Sequence, residues 1–362
     1  MNDTNIRAKG RRSFLRDSIA MGAAVTGTAV LSGPRLLAQQ EDATGNVTAG
    51  DANILRFLAA AELIEADLWQ QYAELGGITE GTPNAYQLAL SNLDGDAGQY
   101  ITSNTLDEAS HASFLNAYLI SKGEQSVDLD RFRTLPSSQA NGAQQIGRLT
   151  NLTQLTIDTS WYTRYRSTTN PDFGATFPQA LPALADGKFT AIPRTNADFA
   201  PTAHVQAIAN TAAFHFGMIE QAGSSLYATL SHKVSVPQVL RIVVAIGGDE
   251  IAHFLEWVDF SGNAVSQPLA PLTDPNTGLT FPDFNATGNP LLQTNLIFPV
   301  PCEFISPNLP HCAVIRPTVQ GQIDAVGAAN GLIANGLFIG QSPEFTEVLL
   351  NLARAADSAR RE

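Results

Sequence analysis

The sequence predicts an all-α protein built on a four-helix bundle, with a long crossover insertion and a C-terminal helical extension. Two observations point to this class. Four stretches carry apolar residues at helical spacing, and the segments Asp107–His111 and Asp249–His253 repeat one Asp-Glu-x-x-His pattern. A glutamate and a histidine three residues apart project from one helix face, one turn apart. The pattern therefore indicates a degenerate duplication of a helix pair.

The first two bundle helices are expected at 54–75 and 98–122. In the first, apolar residues recur with a period of 3.6, Asp51 or Asn53 is a candidate N-cap, and a Gly-Gly pair ends the helix. The third and fourth helices are expected at 203–232 and 237–260, and Pro237 starts the last one. The bundle domain is thus assigned to 51–262.

The segment 124–202 does not have the pattern of a single helix, because it is rich in Asn, Gln, Thr and Pro. A connection of this length inside a compact domain is usually a functional cover or a subdomain. After the bundle, residues 263–362 are predicted to form a Pro-rich loop and two helices, at 319–339 and 343–359. These helices are rich in small residues, which suits internal packing or contacts in a homo-oligomer.

Composition limits the function classes. The chain has 362 residues, of which 44% are hydrophobic and 15% charged, which is enough for one large core or two modest ones. The formal net charge is −13. A nucleic-acid-binding role is not expected, because phosphate binding requires a basic surface.

Residues 1–38 have the composition of an export signal. Arg11 and Arg12 precede an x-Phe-Leu-Arg sequence and an apolar run from Ile19 to Ser32, as in a twin-arginine signal peptide. A membrane anchor is the alternative, but the run is short and rich in Gly, Ala and Thr. We therefore expect a periplasmic or extracellular protein with no stable membrane span after signal removal, and a flexible lead at 39–50.

The two cysteines agree with an oxidising compartment. Cys302 and Cys312 lie ten residues apart in the Pro-rich loop, and we expect them to form a disulfide. A metal site made of both thiols and His311 is the alternative, but it lacks a fourth ligand.

The order Glu, Glu-x-x-His, Glu, Glu-x-x-His is the ligand set of a carboxylate-bridged two-metal site. The candidate ligands are Glu62, Glu65, Glu108, His111, Glu220, Glu250 and His253. Such a hard, mostly oxygen ligand set suits two iron or manganese ions. Asp107 and Asp249, four residues before the histidines, are candidates for orienting an imidazole by a hydrogen bond.

The sequence leaves the first-helix ligand open. An aromatic residue follows seven positions after each candidate, at Trp69 for Glu62 and at Tyr72 for Glu65, as Tyr227 follows Glu220. Matching Ile-Glu dipeptides favours Glu65. The two tyrosines could tune the metals or relay electrons.

The other histidines do not belong to a Glu-x-x-His pattern. His215 fits a core or rim position better than a ligand position. The pattern assigns no role to His204, His232 or His311.

At this point the chain resembles the ferritin-like superfamily, and specifically its exported branch of desiccation-related and fungal stress-response proteins. The motifs that carry the resemblance are Ala61–Trp69, Glu108-x-x-His111, Glu220-x-x-Gly223-x-x-x-Tyr227 and Glu250-x-x-His253. The resemblance covers about residues 52–260. It implies the bundle and its two metals, and it selects Glu62 with Trp69. The insertion and the C-terminal extension are foreign to cage-forming ferritins, so a 24-subunit iron store is not expected.

The leading functional hypothesis is an exported di-metal oxidoreductase that acts on oxygen, peroxide or a small organic substrate. A manganese-type catalase is one version of it. The first alternative is a metal-binding, stress-protective protein without turnover. The second is a scaffold that has lost its metals and binds a partner through its loops.

Overall fold

The computed structural model describes residues 46–166, 177–287, 299–300, 306–313 and 324–361. The predicted signal peptide lies outside these residues, and so does Cys302 of the predicted disulfide. Cys312 is exposed.

The described chain is mostly helical, which confirms the all-α prediction. The helices are α1 (Ala49–Gly76), α2 (Ala85–Leu93), α3 (Ala97–Ser121), α4 (Ser160–Tyr165), α5 (Thr202–Ser231), α6 (Pro237–Ala264), α7 (Ala325–Ala334) and α8 (Pro343–Ser358). Two antiparallel pairs of two-residue strands accompany them, β1 (Leu272–Thr273) with β2 (Thr280–Phe281), and β3 (Pro299–Val300) with β4 (Cys312–Ala313).

Helix α1 begins earlier than predicted, inside the segment expected to be a flexible lead. Its N-cap is Thr48, whose side chain accepts a hydrogen bond from the Asp51 backbone N–H, so neither Asp51 nor Asn53 is the cap. The buried Asp51 carboxylate instead accepts the backbone N–H groups of Ser235 and Val236 at 2.9 and 2.8 Å. It thereby ties the start of α1 to the start of α6.

Helix α2 was not predicted. It begins after a capping box in which the Asn84 side chain accepts from the Gln87 N–H and the Gln87 side chain accepts from the Asn84 N–H. Such reciprocal bonds satisfy two N–H groups that have no partner within the helix. The Asn-x-x-Gln spacing was therefore the signal available in the sequence.

The four long helices are α1, α3, α5 and α6. Helix α1 packs antiparallel to α3, since the Thr105 hydroxyl donates to the Trp69 carbonyl while Glu62 faces His111. Helix α5 packs against α6, and the Ser261 hydroxyl donates to the Ala213 carbonyl near one end of this pair.

Hydrogen bonds also join the two helix pairs. The Trp257 indole of α6 donates to Asn104 of α3 at 2.7 Å, and the Tyr118 hydroxyl of α3 donates to Gln238 of α6 at 2.9 Å. Between the pairs, the Trp69 ring stacks on Trp257 and on Phe216, with ring centroids 5.4 and 5.0 Å apart. An aromatic layer thus fills the centre of the four helices.

The described part of the segment 124–202 consists of irregular chain, short 3₁₀ turns and α4. It is anchored at Asp67 of α1, whose buried carboxylate accepts the backbone N–H groups of Leu149 and Thr150 and pairs with Arg133. Its second anchor is Trp161, which lies so close to α5 that a Cβ on Gly217 would come within 2.3 Å of the ring.

The C-terminal helices pack within the chain. Helix α8 lies against α1, and α7 lies against α8. The Asp357 carboxylate pairs with Lys233 at 2.8 Å and accepts the N–H groups of Ala325 and Val326 at the start of α7. The predicted helix at 319–339 is shorter in the described residues. In the described parts of the chain, no helix combines the length and the apolar character that crossing a membrane requires.

Candidate metal centre

Each of the four long helices brings one carboxylate to a common interior position. These side chains are Glu62 of α1, Glu108 of α3, Glu220 of α5 and Glu250 of α6, and each is at most 1% exposed. A buried carboxylate is costly unless it is paired, hydrogen-bonded or bound to a metal. Four of them at one place therefore require a compensating charge.

The two histidines lie beside these carboxylates and turn the same ring atom toward them. The Nδ1 atom of His111 is 3.2 Å from Glu108 Oε2, and the Nδ1 atom of His253 is 3.1 Å from Glu108 Oε1. His111 Nδ1 is also 3.3 Å from Glu62, and His253 Nδ1 is 3.4 Å from Glu220. Glu108 thus lies between the two imidazoles.

These side chains form two groups, within each of which the ligand atoms lie within 4.8 Å of one another. The first group contains Glu62, Glu108, His111 and Glu250, and the second contains Glu108, Glu220 and His253. Glu108 is common to both. We call these six residues the Glu/His cluster. Each group could bind a metal ion.

Glu65, the alternative first-helix ligand, is buried but belongs to neither group among the described residues. Of the two first-helix candidates, the described geometry groups only Glu62 with the other ligand atoms. This is the residue that the resemblance selects, whereas the Ile-Glu match between the first and third helices favours Glu65.

Several polar atoms of the Glu/His cluster are buried and make no hydrogen bond. They are Glu62 Oε2, Glu108 Oε1, Glu220 Oε2, both Glu250 oxygens and His253 Nδ1. His253 Nδ1 and Glu108 Oε1 are within ion-pair distance but not in hydrogen-bonding geometry. Buried polar atoms without partners are rare and call for an explanation. Metal ions would bind these oxygen and nitrogen atoms, which have no hydrogen-bond partner. The residues present therefore fit a metal site.

Two aromatic side chains hold glutamates of the cluster by hydrogen bonds. The Trp69 indole N–H donates to Glu220 Oε1 at 3.0 Å, and the Tyr227 hydroxyl donates to Glu62 Oε1. Tyr72 does not reach the cluster. Its hydroxyl lies 2.7 Å from His215 Nδ1, so of the two tyrosines predicted to tune the metals only Tyr227 touches a candidate ligand.

Asp107 and Asp249 contact the outward Nε2 atoms of the histidines in a crossed arrangement. Asp249 Oδ2 is 3.2 Å from His111, and Asp107 Oδ2 is 3.4 Å from His253. Each aspartate therefore contacts the histidine of the other Asp-Glu-x-x-His segment, although Asp249 also lies 3.7 Å from its own His253. Carboxylates at this position fix the orientation of a metal-binding imidazole.

Glycines in the middle of helices make room for the cluster. A Cβ on Gly223 of α5 would lie 2.0 Å from Glu250 Oε2, and one on Gly247 of α6 would lie 2.8 Å from the Tyr227 Cβ. Glycine inside a helix is destabilising relative to alanine. Glycine at these two helix positions was therefore the signal in the sequence that a side chain of the neighbouring helix packs closely there.

Burial and mutual repulsion raise the pKa of most of the carboxylates. Burial, followed by the charge of Glu108, raises the pKa of Glu62 to about 8. Burial also raises the pKa of Glu220 to about 7, and it raises the pKa values of Glu250 and Glu65 well above the usual range. A protein without metal therefore accumulates protons at this position.

Glu108 and the two histidines contact one another, and the pKa of Glu108 is lowered while the pKa values of the histidines are raised. Burial would raise the pKa of Glu108, but the neighbouring His111 and His253 side chains lower it to about 2. Burial would lower the pKa of His111, but Glu108 and Glu62 raise it to about 10, and the pKa of His253 is raised as well. In the absence of metal, the imidazolium charges provide part of the compensating positive charge.

The remaining histidines are outside the cluster. His215 is fully buried, and burial lowers its pKa to about 3. His204 is buried between Asp274 and Asp198, with N···O distances of 2.9 and 3.2 Å, and it joins the start of α5 to the loop after α6. His232 and His311 are exposed.

Comparisons of the chain with protein-family models, with curated proteins and with solved structures each found no match. The case for a function therefore depends on the geometry. Buried glutamate and histidine atoms lie within ligand distance of one another and could bind metal.

Proposed function

We propose that this protein is an exported member of the ferritin-like superfamily whose four long helices form a bundle around a dinuclear iron or manganese centre. The observation that carries the proposal is the convergence of four buried carboxylates, one from each long helix, on two Nδ1 atoms. The proposed ligands are the Glu/His cluster, with Glu108 serving both metal positions. The export proposal is supported by Arg11 and Arg12 and the residues that follow them.

The charges of the cluster fit two divalent ions. Four ionised carboxylates carry four negative charges, which two such ions neutralise, and neutral imidazoles then complete the ligand set. The mostly oxygen donors favour iron or manganese over copper or zinc. When bound, such a metal pair supplies reversible electron transfer, and we propose that the protein is an oxidoreductase acting on oxygen, peroxide or a small organic molecule.

The chain's own groups would prepare the site for this chemistry. The Trp69 and Tyr227 hydrogen bonds fix one oxygen of Glu220 and of Glu62, which leaves the second oxygen of each carboxylate free to bind metal. Asp107 Oδ2 lies within hydrogen-bonding distance of His253 Nε2, and Asp249 Oδ2 lies 3.2 Å from His111 Nε2, which keeps each Nδ1 atom directed inward. The aromatic layer of Trp69, Trp257 and Phe216 excludes water from one side.

The deciding experiment is metal content, measured by elemental mass spectrometry on the full chain purified from its own host. We expect close to two iron or manganese ions per chain, and a large loss in His111→Ala and in His253→Ala. The exposed His232 provides the matched control, since His232→Ala should retain the metals. A folded protein without metal, or equal metal content in all three variants, would overturn the proposed centre.

A turnover assay separates the catalytic proposal from the alternative of metal binding without turnover. Metal-loaded protein that releases oxygen from peroxide, or that consumes oxygen with a reductant, supports the oxidoreductase. A protein that binds two metals but does not cycle with oxygen or peroxide would be the metal-binding, stress-protective alternative.

A further inference from the structure

A surface groove lies beside His111, on the face formed by α3 and α6. It is a largely open depression with a volume of about 550 Å³. The residues that line it are Ser110, His111, Ser113, Phe114, Ala117 and Ile246. We call it the α3–α6 groove.

The lining of this groove is apolar. Its walls are the Phe114 ring, the Ala117 methyl group and the Ile246 side chain, and Phe114 remains 52% exposed. The Ser110 hydroxyl already donates to the Asp107 carbonyl at 2.8 Å. A ligand with apolar surface would gain by covering these groups. An ionised ligand would lose hydration without gaining a charged partner from the lining other than His111.

The charges around the groove argue against an anion. Asp249, half exposed, contacts the His111 Nε2 atom at 3.2 Å, and the whole chain carries a formal charge of −13. Asp249 is therefore engaged with the imidazole, and the long-range field repels negative ligands. The chemistry of the groove favours a neutral molecule.

His111 belongs both to the groove and to the Glu/His cluster. Its Nδ1 atom faces Glu108 at 3.2 Å, and the same residue lines the groove. A molecule in the groove would therefore lie against a residue that we propose to be a metal ligand. This continuity distinguishes the groove from an isolated apolar patch.

We propose that the α3–α6 groove binds a neutral, largely apolar small molecule as the organic substrate of the centre. This inference rests on the proposed function, because a substrate role requires the metals. It narrows the substrate from any small organic molecule to a neutral apolar one, and it places that molecule on the His111 side of the cluster.

The test is a titration of the full chain with 4-fluorophenol, followed by fluorine NMR, with 4-fluorobenzoate as the anionic comparison. We expect saturable binding of the phenol and binding of the benzoate that is at least about tenfold weaker. Ala117→Trp, which fills the groove from an exposed position, should weaken phenol binding by about tenfold or more. Leu88→Ser on α2, at a comparably exposed apolar residue, is the control and should leave the affinity unchanged.

A second measurement tests the location. In protein loaded with Mn²⁺ alone, the fluorine relaxation of bound 4-fluorophenol should be strongly enhanced, and Ala117→Trp should abolish the enhancement. The outcomes that overturn the inference are absence of phenol binding to metal-loaded protein, or binding that Ala117→Trp does not change. A dimer that Phe114→Ser dissociates would also overturn it, because a second copy would then cover the groove.

The two proposals fail in different ways. If metal-loaded protein does not bind the phenol, the groove is not the substrate site, but the proposed metal centre is not contradicted. Absence of metal from the host-purified protein removes the centre and the substrate role with it, whether or not the phenol binds.

Discussion

The Trp69 indole N–H donates a hydrogen bond to Glu220 at 3.0 Å, although Trp69 lies seven residues after Glu62 and not after Glu220. Tyr227, seven residues after Glu220, makes the reciprocal contact with Glu62. Seven residues are two helical turns, so each aromatic residue lies on the same face as its own glutamate and about 10 Å along the helix. Because α1 and α5 run antiparallel, each aromatic residue meets the glutamate of the other helix.

Trp69→Phe should show how much the hydrogen bond from Trp69 to Glu220 contributes to stability and to metal binding. The phenylalanine ring can still stack on Trp257, but Glu220 Oε1 loses its donor inside the protein. We expect a loss of roughly 1–3 kcal/mol in the free energy of unfolding of metal-free protein, because a buried acceptor is left unsatisfied. We also expect weaker metal binding, measured by competition with a chelator.

Tyr86→Phe is the matched control for that variant. Tyr86 is buried and its hydroxyl donates to the Ala191 carbonyl, away from the Glu/His cluster. It should lose stability without losing metal affinity. Equal metal affinity in both variants would show that the Trp69 bond does not position Glu220 as a ligand.

Glu62→Gln and Glu65→Gln should separate the two candidate ligands of α1. In both cases the burial that raises the glutamate pKa destabilises the metal-free protein at neutral pH, because the unfolded chain releases the proton and folding must recover it. Removing the ionisable group should stabilise metal-free Glu62→Gln by roughly 1–3 kcal/mol, measured by urea unfolding at pH 7.

Only Glu62→Gln should also lose metal. Glu65→Gln should keep close to the full metal content, because Glu65 lies outside both groups of ligand atoms. The reverse order of metal loss in elemental analysis would return the ligand assignment to Glu65.

Gly223→Ala should displace a ligand without unfolding the protein. The added Cβ would come within 2.0 Å of Glu250 Oε2, the far end of a flexible side chain that can move away. We therefore expect a folded protein with greatly reduced metal content. Gly248→Ala is the control on the neighbouring helix, since a Cβ there meets nothing within 4 Å. It should retain the metals and gain about 0.5–1 kcal/mol of helix stability. Full metal content in Gly223→Ala would contradict the proposed position of Glu250.

His215 should make stability depend on pH between about 3 and 6.5. Burial lowers its pKa from 6.5 to about 3 in the folded protein, so in this range the unfolded chain binds the proton and the folded protein does not. Stability therefore falls as the pH falls below 6.5, by about 2 kcal/mol at pH 5 from this group. His215→Gln should lack this component. The difference between the urea midpoints of wild type and variant at pH 7.5 and pH 5 measures it, and parallel curves would contradict the assignment.

The long helices and the Glu/His cluster could be predicted because their signals are local. Apolar periodicity located the long helices to within a few residues at most ends, and the Glu-x-x-His spacing put both side chains of a pair on one face. Among the four long helices, the largest boundary error was at the start of α1, where Thr48 caps the helix and Asp51 binds the chain before α6. Local sequence does not show which of several polar side chains has a competing tertiary partner.

The crossed contacts could not be predicted for a related reason. The partner of Trp69, and the partners of Asp107 and Asp249, depend on which helices are neighbours and in which direction they run. The choice between Glu62 and Glu65 depends on the rotation of α1 about its own axis, and the periodicity allows both. Helix α2 was not predicted because its nine residues are too few to show a clear apolar period, and because Pro83 just before it is typical of a loop.

The Asp67 anchor bears on how far this protein could be reduced in size. Asp67 lies on α1 between Glu62 and Trp69, and its carboxylate is satisfied by Leu149, Thr150 and Arg133 of the insertion. A shortened version in which a tight linker replaces 124–202 would remove these partners from a carboxylate that is buried in the intact fold. An engineer who wanted a minimal form would have to redesign α1 together with the linker, so the insertion is a structural part of the centre's support and not a detachable accessory.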